Sequence, residues 1–129
     1  MPNEYTKCFA CGIDNPIGLK LKFDYKDDFA IAKVKLDENY CGYPNIIHGG
    51  IVNTILDEAM AKIIIEKFGE AVTYEMTTTY KKPVSPETEY EVKSKIVSSR
   101  RRIIKSEATI TDGAGELFAK AEATFFRVR

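Results

Sequence analysis

The stretch Ile47-His48-Gly49-Gly50-Ile51-Val52-Asn53-Thr54-Ile55-Leu56-Asp57-Glu58-Ala59-Met60-Ala61-Lys62-Ile63-Ile64-Ile65-Glu66-Lys67-Phe68-Gly69 decides how the rest of the chain must fold. Ile51, Val52, Ile55, Leu56, Ala59, Met60, Ile63 and Ile64 recur at i, i+1, i+4, i+5 spacing. This predicts one apolar face of an α-helix of about four to five turns. Gly49 and Gly50 lie at its start, and Gly69 fits its C-terminal cap. The other face carries Asn53, Asp57 and Ala61, with Thr54, Glu58 and Lys62 beside them. The helix is more apolar than a surface helix should be, so something must cover it.

The flanking sequence supplies the cover. Upstream, a turn-rich run from Cys11 to Gly18 precedes Leu19-Lys20-Leu21-Lys22-Phe23, whose strict alternation predicts a strand with one wet face. Lys26-Asp27-Asp28 is a turn, and Phe29 to Leu36 completes a hairpin. Asp37 to Ile47 is irregular, broken by Gly42 and Pro44. Downstream, Val72 to Lys82 reads as a strand ended by Pro83 and Pro86. Thr88 to Val97, Arg102 to Thr111 and Glu116 to Val128 follow as strands. The turns between the last three are Ser98-Ser99-Arg100-Arg101 and Asp112-Gly113-Ala114-Gly115. The order β-β-α-β-β-β-β places the chain in the α+β class, with consecutive antiparallel strands wrapped around one helix. Residues 1–129 are read as one domain. Strands that end such a sheet expose edges, and pairing those edges between copies is a common remedy, so an oligomer is expected.

Composition narrows the function. The 129 residues carry 19 Lys+Arg against 19 Asp+Glu, a net charge of zero. Nucleic-acid binding needs a broad basic face, which this balance does not provide. A single His excludes sites built on two or three of them, including most catalytic zinc centres. No apolar stretch reaches the ~18 residues of a membrane helix. Met1-Pro2-Asn3-Glu4-Tyr5 lacks a signal-peptide pattern, and three cysteines suit reduced thiols, so a cytoplasmic location is expected. Cys8 and Cys11 have metal-ligand spacing, but there is no second pair. A zinc site would need ligands such as Cys41 and His48. Turn formation and packing are the expectation for this pair, and no metal is expected.

Chemistry concentrates at the helix start. Two glycines there let a ligand approach bare backbone, and free N–H groups can donate to an oxygen gaining negative charge. Asp57 lies about two turns on, off the apolar stripe, where a carboxylate can act as a nucleophile or as a base for water. Glu58 is the rival carboxylate, but it points roughly 100° away around the helix.

These residues resemble a family. His48-Gly49-Gly50 with Asp57 nine positions after the His is similar to the hotdog-fold acyl-CoA thioesterases of the phenylacetate-pathway (PaaI-like) type. Cys8-Phe9-Ala10-Cys11-Gly12 with Asn15-Pro16-Ile17-Gly18-Leu19 resembles one branch of that group. Tyr80-Lys81-Lys82-Pro83 resembles its strand after the helix, and Asp112-Gly113 with Ala119 and Ala121 its last hairpin. The resemblance covers nearly the whole chain. It implies an antiparallel sheet around one long central helix, and hydrolysis of an acyl-CoA thioester to free acid and CoA without a cofactor.

Carried over by residue, the Gly49 N–H would polarise the thioester carbonyl, and Asp57 would attack it or activate water. His48 would help shape the helix entry and the carbonyl site, and counts with Gly49, Asp57 and Thr73 among the catalytic residues the resemblance implies. Thr73 falls where some members place a Ser or Thr that orients water. The resemblance also implies a homodimer or dimer of dimers with sites between subunits, Thr73 then serving the partner's Asp57. Gly50 and Asn53 are further substrate-binding candidates. Arg100, Arg101 and Arg102 form either a solvated turn or a contact to CoA phosphates. Met60, Ile64 and Tyr74 are candidate pocket residues. One departure is Gly42, where several members have Asn or Gln. Two rival readings are a non-catalytic acyl-CoA-binding module and a hotdog enoyl-CoA hydratase or dehydratase. The latter needs a His paired with a carboxylate, and position 43, where its Asp would stand, is Tyr43.

Overall fold

The structure, a computed structural model, describes residues 5–128. The stretch Met1 to Glu4, part of the signal-peptide reading, lies outside the described residues. The helix is α1, Gly49–Phe68, 20 residues long. Gly69 ends it with φ +93°, a conformation costly for any side chain, and its N–H reaches the Ile65 carbonyl at 3.0 Å. Val52, Ile55, Leu56, Ala59, Met60, Ile63 and Ile64 are all buried. At about 1.5–3 kcal/mol for each large side chain taken from water, this stripe is a major source of cohesion.

Strands β1 (Asp24–Lys26), β2 (Phe29–Val34), β3 (Cys41–Tyr43) and β4 (Ile46–Ile47) precede the helix. Strands β5 (Ala71–Tyr80), β6 (Tyr90–Arg100), β7 (Ile103–Thr111) and β8 (Leu117–Arg127) follow it. Six of them form one antiparallel sheet in the order β1-β2-β6-β7-β8-β5. The sheet curls around α1, which is the hotdog architecture the resemblance implied. Its inner face mixes small residues, Ala30 and Ala32 on β2, Ala108 on β7, and Ala119, Ala121 and Ala123 on β8, with larger ones such as Val92, Ile104 and Phe125. Methyl-sized side chains let the strand backbone come close to the helix where they stand. At the sheet centre, buried Ser94 donates its hydroxyl to the Ala59 carbonyl at 2.5 Å, tying β6 to the helix.

Four expectations shift. Leu19 to Phe23 forms no sheet strand. Its alternation does bury Leu21 and half-bury Leu19 and Phe23, but its partner is the N-terminal loop. The N–H groups of Leu19 and Leu21 donate to the carbonyls of Phe9 and Ala10 at 2.8 and 2.9 Å. Alternation reports burial on one side and does not name the neighbour. The first hairpin strand is instead Asp24–Lys26.

The irregular segment before the helix contains a 3-10 turn, Glu38–Tyr40, and the two-stranded ribbon of β3 and β4. The arginine turn moves outward, because β6 continues to Arg100 and the reversal falls at Arg101-Arg102. A bulge between Ile96 and Ser98 breaks the alternation there, which is why the sequence pattern stops short. Finally, Met60 and Ile64 are fully buried in the core, while Tyr74 is 64% exposed.

Among the described residues, no helix is long and apolar enough to cross a membrane. Both sheet edges, β1 and β5, lack an outer neighbour among the described residues. Leu56 is fully buried at the helix midpoint. Leu56→Ala is expected to cost about 2–5 kcal/mol, read as a lower urea midpoint with an unchanged slope.

Candidate active site

His48 caps α1. Its Nδ1 accepts the Gly50 N–H at 2.9 Å, which places the neutral ring's proton on Nε2. Its carbonyl accepts the N–H groups of Ile51 and Val52 at 2.9 and 3.1 Å. Of the first four N–H groups of the helix, only that of Gly49 has no partner among the described residues. Gly50 was expected to help bind substrate, but its N–H is already committed to the histidine.

The three glycines differ in what they make room for. A Cβ at Gly42 would stand 3.1 Å from the His48 ring, and one at Gly50 would stand 3.2 Å from Nδ1. Gly42, which breaks the family pattern, therefore clears the space that the capping ring fills. A Cβ at Gly49 would meet only the Tyr80 ring, at ordinary contact distances of 3.7–3.8 Å. Packing within the chain does not demand glycine at 49. Gly49 and His48 border an open cleft of about 660 Å³, with Tyr43, Tyr80, Lys81 and Lys82 among its walls. Of these, Tyr80 and the two lysines stood in the sequence as part of a motif but without a role.

Gly49, Asn53 and Asp57 recur every four residues, so they share one face of the helix. Strand β5 answers each of them. The Tyr80 hydroxyl donates to the Gly49 carbonyl at 2.9 Å. The Thr78 hydroxyl donates to the Asn53 side-chain oxygen. The Thr73 hydroxyl donates to Asp57 Oδ1 at 2.8 Å. Strict alternation from Tyr80 and Thr78 would turn Thr73 to the outer face. A bulge between Thr73 and Glu75 inserts Tyr74 as an extra residue and turns Thr73 back toward the helix. This corrects the expected partner: Thr73 bonds the Asp57 of its own chain.

Gly49 and Asp57 are eight residues apart, about 12 Å along the helix at 1.5 Å per residue. One thioester carbonyl does not span that separation. The arginines lie elsewhere again. Arg100, Arg101 and Arg102 sit exposed at the β6–β7 reversal, three strands from β5 and toward its Thr73 end.

A second polar cluster lies on another side of α1. The thiols of Cys8 and Cys11 and the Glu58 carboxylate lie within 4.8 Å of one another. Lys62 pairs with Glu58 at 3.7 Å. Burial, together with the Glu58 carboxylate and Cys8, pushes the Cys11 thiol up to about 12. It is protonated at neutral pH and is no nucleophile in that state. Burial lowers the Lys62 ammonium, but Cys11 and Glu58 beside it outweigh this and leave it raised. Cys41 shares a separate cleft with His48, so the zinc ligand set considered from sequence does not assemble.

Comparison with known proteins agrees with this fold. The family model described as "Thioesterase superfamily" matches residues 44–119. An uncharacterized protein of Schizosaccharomyces pombe is 40% identical over 57 residues, 43% of this chain and 33% of that protein. A crystal structure of a thioesterase superfamily protein superposes with a TM-score of 0.89 at 20% identity, over 94% of this chain and 60% of that one. The chain thus spans a third of that yeast relative and three-fifths of that structural neighbour. A hypothetical thioesterase of Streptococcus pneumoniae, solved with coenzyme A, has a TM-score of 0.77 at 21% identity, over 82% of this chain and 84% of its own.

The cap makes a measurable claim. His48→Ala is expected to cost about 0.5–2 kcal/mol in urea denaturation, and His48→Asn to keep most of that stability.

Proposed function

The chain belongs to the thioesterase superfamily, and from that premise we propose that it hydrolyses acyl-CoA thioesters to a free acid and coenzyme A. The observation that carries this reading is the unpartnered Gly49 N–H at the mouth of the cleft. Such a donor, at the positive end of a helix, stabilises the oxygen that gains charge when a thioester carbonyl is attacked. The Asp57 carboxylate, one oxygen held by Thr73, supplies the attack through its other oxygen. It acts on the carbonyl carbon directly, or through a water that it deprotonates. By the first route the C–S bond breaks to leave a mixed anhydride on Asp57, which water then hydrolyses to the acid and the free carboxylate. By the second the water oxygen adds to the carbonyl and the C–S bond breaks to give the acid. In both the CoA sulfur leaves and takes up a proton. The scheme uses side chains and backbone only, with no metal or cofactor at the reacting atoms.

The 12 Å between Gly49 and Asp57 is resolved by a second copy. An isologous dimer pairing β5 with the partner's β5 runs the two strands antiparallel. With the two-fold near Met76-Thr77, the Tyr80 end of one strand meets the Thr73 end of the other. Gly49 of one protomer then faces the partner's Asp57, and each dimer has two sites. The unpaired edge of β5 and its exposed Val72 and Tyr74 support this arrangement. Arg100, Arg101 and Arg102 lie toward the Asp57 end of such a site and are assigned to CoA phosphates.

The test is a panel of acyl-CoAs with thiol release followed by a chromogenic disulfide. Asp57→Asn is expected to lower kcat by about 10²–10⁴-fold while substrate binding persists. Full turnover in that variant would sink the mechanism. Saturable binding without turnover in the unaltered chain would favour the binding-module reading instead.

Mixed dimers test the shared site. Co-expressed Asp57→Ala and Gly49→Val chains, each inactive alone, are expected to regain up to about a quarter of the activity, since half the dimers then hold one intact site. No recovery in isolated mixed dimers would place each site within one chain.

A further inference from the structure

The residues Cys8 to Leu21 form a tight knuckle that the thioester site does not use. The Gly12 N–H donates to the Cys8 carbonyl at 2.7 Å, and the Asp14 N–H to the Thr6 carbonyl at 2.9 Å. A Cβ at Gly12 would stand 2.4 Å from the Cys8 nitrogen and the Thr6 oxygen, so only glycine closes this turn. The Asn15 side chain bonds the Lys7 carbonyl and the Ile17 N–H, both at 3.0 Å. The knuckle is therefore set by its own backbone, and it presents both thiols to one point on α1. Glu58 reaches that point from the helix.

We propose that Cys8, Cys11 and Glu58 bind a zinc ion that fastens the knuckle to the central helix. The chemistry of the donors selects the metal class. Two thiolates and one carboxylate suit a borderline-soft divalent ion and disfavour magnesium or calcium, which prefer all-oxygen sets. Zinc takes thiolate at about 2.3 Å and carboxylate at about 2.0–2.2 Å, so tetrahedral ligand atoms sit roughly 3.5–3.8 Å apart.

The three donors already lie within 4.8 Å of one another, close to that spacing before any ion is bound. Coordination forms two Zn–S bonds and one Zn–O bond, and each thiol releases its proton to solvent. Two thiolates, one carboxylate, the Lys62 ammonium and the divalent ion then sum to zero charge. The fourth position opens on a cleft of about 710 Å³ lined by Tyr25, Lys62 and Glu66 among others, and is filled by water.

Cobalt(II) is the probe, titrated into the reduced 129-residue chain. One equivalent per chain is expected, with the near-ultraviolet absorption of thiolate-to-cobalt charge transfer, and zinc should displace it. The band should vanish in Cys8→Ser/Cys11→Ser and persist in Cys41→Ser. Glu58→Gln should weaken binding at least about tenfold. A reduced wild-type chain without the band overturns the proposal, and this arm needs no variant to fold. A band that survives the double substitution, or falls equally in Cys41→Ser, marks adventitious binding and overturns it too. So does unchanged affinity in a folded Glu58→Gln chain.

Discussion

A single helix carries seven buried side chains along its length, and water must be kept from all of them. That requirement organises the molecule. One helix packed on a flat sheet leaves much of its circumference wet, so the sheet curls around it. The strands meet the constraint with a mixed inner face. Alanines on β2, β7 and β8 let the backbone approach the helix, and larger residues such as Val92, Ile104 and Phe125 fill the space between them.

The polar face of the same helix cannot be treated in this way. Asn53 and Asp57 would be desolvated without compensation under an apolar strand. Strand β5 covers that face with hydroxyls at matching heights, Tyr80, Thr78 and Thr73. The match fails by one residue unless the strand is irregular, and the bulge at Tyr74 supplies the irregularity. A structural repair and the placement of a candidate catalytic pair are thus one feature.

The helix start shows a similar economy. A histidine is an uncommon cap beside Ser, Thr, Asp or Asn. Here its ring takes the Gly50 N–H and rests over Gly42, and its carbonyl takes the next two donors. What remains is one unpartnered N–H, on a residue with no side chain, at the edge of a cleft. The His-Gly-Gly run thus satisfies three of the first four helix donors and leaves the Gly49 N–H.

Periodicity and turn chemistry determined much of the fold in advance. The helix, its glycine stop, the four following strands and the wrapped α+β class are all legible from residue spacing, because burial imposes periods of 3.6 and 2 on the chain. The His48–Asp57 spacing likewise pointed to the helix start, which borders an open cleft.

Tertiary structure decided what spacing does not encode. Leu19 to Phe23 alternates like a sheet strand yet pairs with a loop, since alternation records a buried side without identifying what buries it. Thr73 faces the Asp57 of its own chain because a bulge overrides the period that sequence reading relies on. Cys8 and Cys11 find Glu58 in place of Cys41 and His48, because contact across 47 or 50 positions is set by how the chain folds back and leaves no local pattern.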